Sequence, residues 1–112
     1  MEVTLAAVAD EAARRFLDTY LPRIMEVYNP QHVILFGSRA AGTAREDSDI
    51  DLLLVAERFR EIRSVNRMGH VLITLRPKPT LDVLCYTPDE FAQLREGFGL
   101  VADICREGVW LF

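Results

Sequence analysis

Between Leu5 and Tyr28 the apolar residues Leu5, Ala9, Ala12, Phe16, Tyr20 and Ile24 return every three or four positions, with Asp10, Arg14, Asp18 and Glu26 between them. That spacing lines one face of a helix and predicts an amphipathic helix over 5–28. Pro22 lacks the N–H that would bond the Asp18 carbonyl, and it disfavours helix at Leu21. The segment is therefore expected either to kink there or to divide into two helices. Asn29-Pro30 ends it. The pattern then changes: His32-Val33-Ile34-Leu35-Phe36 is a short, continuous apolar run rich in β-branched and aromatic residues, halted by Gly37, and reads as a buried strand.

Gly37 to Gly42 predicts a tight turn feeding one helical turn, and 43–48 a polar loop. A second strand is expected from Asp49. After Asp51 its polar alternation stops at Leu52-Leu53-Leu54-Val55, so both faces should be covered there. A helical stretch is expected from about Arg58 to Leu75, with Gly69 as a point where it ends or continues. Pro77 and Pro79 mark a loop, Leu81 to Tyr86 a third strand, and Thr87-Pro88-Asp89-Glu90 a helix start with its cap, N1 proline and first-turn carboxylates. Gly97-Phe98-Gly99 separates that helix from a last one near Leu100 to Arg106. Val109 to Phe112 forms a terminal strand or packing tail.

The 112 residues, half of them hydrophobic and 27% charged, suit one domain spanning 1–112. A chain of this size buries roughly two-thirds of its unfolded surface, enough for one sheet and a layer of helices but not for a lid and a second domain as well. The 13 basic and 17 acidic side chains leave a net charge of −4, and Lys78 is the only lysine. Direct nucleic-acid binding through a basic stripe is therefore disfavoured. Cys85 and Cys105 stand singly in apolar segments, as reduced core residues do, which favours a cytoplasmic home. Val3 to Ala9 is apolar, but it follows Glu2 and precedes Asp10 and Glu11, so the positive n-region of a signal peptide is missing. No run has membrane-spanning length, and a soluble protein is expected.

The chemistry concentrates in Gly37-Ser38, ten intervening residues, and Asp49-Ile50-Asp51. Glycine permits close backbone approach to a phosphate, while Ser38 and the amides that follow can donate to its oxygens. Two residues apart on a strand, Asp49 and Asp51 point to one face. Two carboxylates about 4 Å apart repel by about 4 kcal/mol at an effective dielectric near 20, a cost a divalent cation reverses. Asp82, one residue into the third strand, is the candidate third carboxylate if the two strands are neighbours, a set suited to Mg²⁺ and two-metal phosphoryl chemistry. His32 and His70 are too isolated for a metal or triad site. Trp110 and Phe112 read as core or interface anchors, with the apolar tail hinting at a partner surface or a homo-oligomer.

These residues resemble the DNA polymerase β-type nucleotidyltransferase superfamily in its smallest form, the minimal nucleotidyltransferases. Gly37-Ser38, Asp49-Ile50-Asp51 and Asp82 occur in the order of that family's hallmark. Ile34 to Ala40, Ser48 to Leu52 and Arg106 to Val109 extend the likeness over nearly all of the chain after Tyr20. The resemblance implies an α/β (α+β) fold, with a small mixed sheet covered by helices. It also implies two Mg²⁺ ions on Asp49, Asp51 and Asp82, with Asp82 activating the attacking hydroxyl, and ATP phosphates held by Gly37 and Ser38. Many relatives carry an arginine three residues after the serine to meet the triphosphate, where this chain has Ala41; Arg39 or Arg45 is a candidate substitute if its side chain reaches the same oxygens. Stand-alone relatives of this size are commonly antitoxins beside a HEPN-type ribonuclease toxin, and some adenylylate it. The alternatives are a catalytically silent module acting by occlusion and, ranked lower, an aminoglycoside-type adenylyltransferase, whose extra helical domain is missing here.

Overall fold

The computed structural model describes Leu5 and residues 7–112. The order is α1 (Glu11–Tyr28), β1 (His32–Phe36), α2 (Ser38–Ala41), β2 (Ile50–Val55), a 3-10 turn at Glu57–Glu61, α3 (Ser64–Leu75), β3 (Leu81–Tyr86), α4 (Pro88–Leu94), α5 (Leu100–Glu107) and β4 (Val109–Trp110). The strands form one mixed sheet, ordered β3-β2-β1-β4. β1 is antiparallel to β2 and β4, while β2 and β3 run parallel. The radius of gyration is 13.1 Å, close to the value of about 13 Å expected for a compact chain of about 100 residues.

α1 starts six residues later than the periodicity predicts. Asp10 is extended and accepts from the Ala13 amide at 2.9 Å, which caps the helix and makes Glu11 its first residue. The helix then runs unbroken through Pro22, because Leu17, Leu21, Ile24 and Tyr28 on both sides of the proline are buried in the same core. The apolar stretch Val3 to Ala9 lies partly outside the described residues, but Val8 is buried against the core. The helix expected from Arg58 to Leu75 is divided instead. Arg67 donates to the carbonyls of Phe59 and Ile62, satisfying the end of the 3-10 turn before α3 begins. Gly69 sits inside α3 without ending it.

Alternation along the strands sends side chains into two layers. Val33, Leu35, Leu52, Leu54 and Val83 pack with Phe16, Leu17, Ile24, Val71 and Leu75 of α1 and α3. Ile34, Leu53 and Val55 pack on the opposite side with Phe91, Val101 and Ile104 of α4 and α5. Leu52 to Val55 are fully buried, as their unbroken apolar run requires. The tail closes on its own sheet: Leu111 N–H donates to the Val33 carbonyl, and Trp110 lies edge-on to His32. The capping box at Thr87 and Glu90 forms as expected. No helix among the described residues is long and apolar enough to cross a membrane.

Candidate active site

Because β1 and β2 are antiparallel, the end of β1 meets the start of β2, and Phe36 is paired with Asp51. Because β2 and β3 are parallel and in phase, Asp51 is paired with Asp82. Asp51 shares its face of β2 with Leu53 and Val55, and Asp82 shares its face of β3 with Leu84 and Tyr86, so both carboxylates lie on the α4 and α5 side of the sheet. Asp51 is half-buried, while Asp49, in the loop residue before β2, and Asp82 are exposed. Burial, then the charges of Asp82 and Asp49, push the Asp51 carboxyl above the ordinary aspartate range. Among the described residues, no three acidic, histidine or cysteine side chains converge tightly enough to form a finished metal cage. The charges of Asp49 and Asp82 do reach Asp51, which is thereby destabilised as an anion, and carboxylate oxygens are the donors that hard cations take.

Gly37 forms the other wall. Its φ of 73° with ψ of −159° is a conformation open to glycine, and a Cβ built there would lie 2.1 Å from Oδ2 of Asp51. The missing side chain thus lets the turn before Ser38 pass directly over the carboxylate. A cavity of about 420 Å³ opens beside the turn, lined by Phe36, Gly37, Ser38, Ala41, Thr43 and, from α5, Leu100, Asp103 and Glu107. Among the described residues its lining contains no lysine or arginine, so no cationic side chain stands beside Ala41 in this cavity. A second cavity of about 400 Å³, lined by Asp82, Tyr86, Ser64, Val65, Met68 and Leu94, opens on the β3 side. Asp82 thus borders the cavity on the β3 side, which Arg67 and Glu90 also line, and Gly37 and Ser38 border the other.

Arg39 is placed differently from the other expected site residues. It is 8% exposed, and its guanidinium bonds Asp10 and the carbonyls of Arg45, Glu46 and Ser48. It is absent from the lining of the Gly37-Ser38 cavity. The histidines serve packing: His70 Nδ1 is 2.7 Å from the Tyr28 hydroxyl, and His32 packs against Phe91 and Trp110. Sequence reasoning did not find Asp10, whose only signal was a capping residue in the middle of an apparently helical pattern.

Residues 17–110 match the model of the nucleotidyltransferase domain. A solved protein of Sulfolobus solfataricus that carries a provisional nucleotidyltransferase name superposes with a TM-score of 0.57 at 25% identity, over 89% of this chain and 98% of that one. No curated protein sequence shows significant similarity to the chain. The match over most of the chain, together with the mixed sheet and the turn that crosses Asp51, shows that the chain belongs to the nucleotidyltransferase-domain family.

Proposed function

We propose that the protein transfers AMP from ATP to a hydroxyl group of a partner protein. The observation that carries this reading is the register of Asp51 with Asp82 beside the Gly37 turn, which sets paired carboxylates next to backbone able to approach a phosphate. In this reading Asp49, Asp51 and Asp82 hold two Mg²⁺ ions, which supply charge neutralisation and a lowered hydroxyl pKa. Ser38 and the first amides of the turn hold the β- and γ-phosphates. The acceptor oxygen enters from the Asp82 side, and the Asp82 carboxylate takes its proton. A bond forms from that oxygen to the α-phosphorus as the bond from the α-phosphorus to the bridging oxygen breaks, and pyrophosphate leaves.

The resemblance to minimal nucleotidyltransferases supports a HEPN-type ribonuclease in the cytoplasm as the acceptor, with this chain its antitoxin. A second reading, a silent module that neutralises a partner by occlusion, is favoured by Ala41 and the cation-free lining of the cavity beside it. Incubation with labelled ATP, Mg²⁺ and the protein encoded beside it separates the two. Transfer predicts label on the partner with wild type and none with Asp49→Asn or Asp51→Asn. Neutralisation that persists in both variants without label would establish occlusion instead.

A further inference from the structure

We infer that Arg39 is a positioning residue, which holds the Ser48–Asp49 peptide, and hence the Asp49 carboxylate, in place against the Gly37-Ser38 turn. The inference deepens the transfer reading and rests on it. Arg39 follows Ser38 on the short turn of α2, so its backbone is fixed by the same geometry that places the phosphate-facing residues. From there the side chain crosses to the loop that delivers Asp49. The Ser48 carbonyl accepts from Nε at 3.1 Å and from Nη2 at 2.9 Å, while the Arg45 and Glu46 carbonyls accept from Nη2 at 3.1 Å each. The Ser48 carbonyl carbon is bonded to the Asp49 nitrogen, so the fork grips the peptide plane that starts the metal-facing segment.

The fourth anchor is Asp10. Its Oδ2 accepts from Arg39 Nη1 at 3.1 Å and from the Ala13 amide at 2.9 Å, joining the start of α1 to the same guanidinium. All three guanidinium nitrogens are thereby engaged within the protein, which leaves the group poorly placed to meet a triphosphate. A planar fork can reach separate carbonyls and a carboxylate at once, whereas a lysine ammonium concentrates its donors on one atom. Residues 43–49 form no helix or strand of their own; a turn in which Arg45 and Ser48 bond each other orders the loop locally, and the Arg39 tether fastens that turn to α2 and to the start of α1.

The test measures Mn²⁺ binding to the full chain by calorimetry, with and without ATP, alongside amide hydrogen exchange over 43–49. Arg39→Lys is expected to weaken binding of Mn²⁺ alone by about tenfold, the lower end for loss of a group that orients a metal ligand, and to speed exchange in the loop. Asp10→Asn keeps a capping side chain while removing the charge, and is expected to show a smaller loss in the same direction. It also carries the test if Arg39→Lys does not fold. Folded variants that bind Mn²⁺ as tightly as wild type would overturn the inference, as would weakening seen with MnATP but not with Mn²⁺ alone, the mark of a direct phosphate contact. Wild-type protein that binds neither Mn²⁺ nor MnATP would overturn the transfer reading itself, and the inference with it.

Discussion

Asp51 of β2 and Asp82 of β3 are register partners on adjacent parallel strands, on the same face of the sheet. Opposed like charges on neighbouring strands work against folding. This pair stands at the uncovered starts of two strands whose following residues are otherwise built for burial. The unfavourable interaction is one that a bound cation would relieve.

That relationship fixes a sign for stability. The Asp51 carboxyl is raised by burial and then by Asp82 and Asp49, so its contribution to folding is present below the unfolded aspartate pKa and is lost as pH rises through the higher folded value. In metal-free buffer at pH 7, Asp51→Asn is expected to raise the melting temperature by roughly 1–3 °C, a modest effect because solvent screens a half-exposed group. Near pH 3 the difference should close. Added Mg²⁺ should stabilise the wild type and leave the variant nearly unmoved. Calorimetry showing the variant less stable than wild type at pH 7 with chelator present would contradict this account.

The Gly37 turn makes a sharper demand. A methyl group at Gly37 meets Oδ2 of Asp51 at 2.1 Å in a backbone conformation that side chains avoid, whereas Gly42, with φ of 80°, has open space around the added atom. Gly42→Ala should therefore cost about 1 kcal/mol from backbone strain alone. Gly37→Ala should cost about 2–4 kcal/mol, adding displacement of the carboxylate to the strain. It should also weaken Mn²⁺ binding, which Gly42→Ala should leave intact. Equal losses of stability in denaturant titrations of the two variants would show that the contact with Asp51 does not matter.

Much of this arrangement is legible in the chain. β1 and β3 appear as short apolar runs, and the Thr87-Pro88 cap announces α4, because these signals are local. The layering of the sheet follows from Leu52 to Val55, which have no polar face to offer solvent. The start of α1 was not legible, since Asp10 occupies a position that an amphipathic helix also fills with a charge. Only its bond to the Ala13 amide separates the cap from a helical position. The long helix expected after Arg58 fails for the related reason that a side chain, that of Arg67, folds back to satisfy the carbonyls of Phe59 and Ile62. Arg39 shows the limit most clearly. Beside Gly37-Ser38 an arginine suggests phosphate, and nothing in residue order shows that three loop carbonyls and Asp10 already surround it.

Arg67 and Glu90 offer a test of the packing behind β3. Arg67 is buried and donates to the Cys85 carbonyl at 3.3 Å and to Glu90 Oε1 at 2.6 Å, while Glu90 also accepts from the Thr87 amide at 2.8 Å. Burial pushes the Glu90 carboxyl up, but the bonds from Arg67 and Thr87 win and hold it below its ordinary value. Its stabilising contribution is thus present above the unfolded glutamate pKa and is lost as pH falls through the lower folded one. Glu90→Gln should cost about 1 kcal/mol at pH 7, limited by solvent access to the carboxylate, and progressively less as pH falls below the unfolded glutamate value. A penalty that stays constant across that range would assign the loss to packing rather than to charge.

The two thiols should report on the two faces of the sheet kinetically. Cys85 is buried on β3, where burial, opposed by nearby Arg67, pushes its thiol up to about 12. Cys105 is half-buried on α5, and its thiol is raised chiefly by burial as well. The reactive species is the thiolate, so at pH 8 a disulfide reagent should modify Cys105 first. Cys85 should react only as fast as β3 opens. In Cys105→Ser the single remaining thiol should be slow, and adding Arg67→Met should speed it by releasing the Cys85 carbonyl and loosening α3 over the strand. Rapid labelling of Cys85 in the folded Cys105→Ser protein would mean that β3, and the Asp82 it carries, is less firmly held than its contacts with α3 imply.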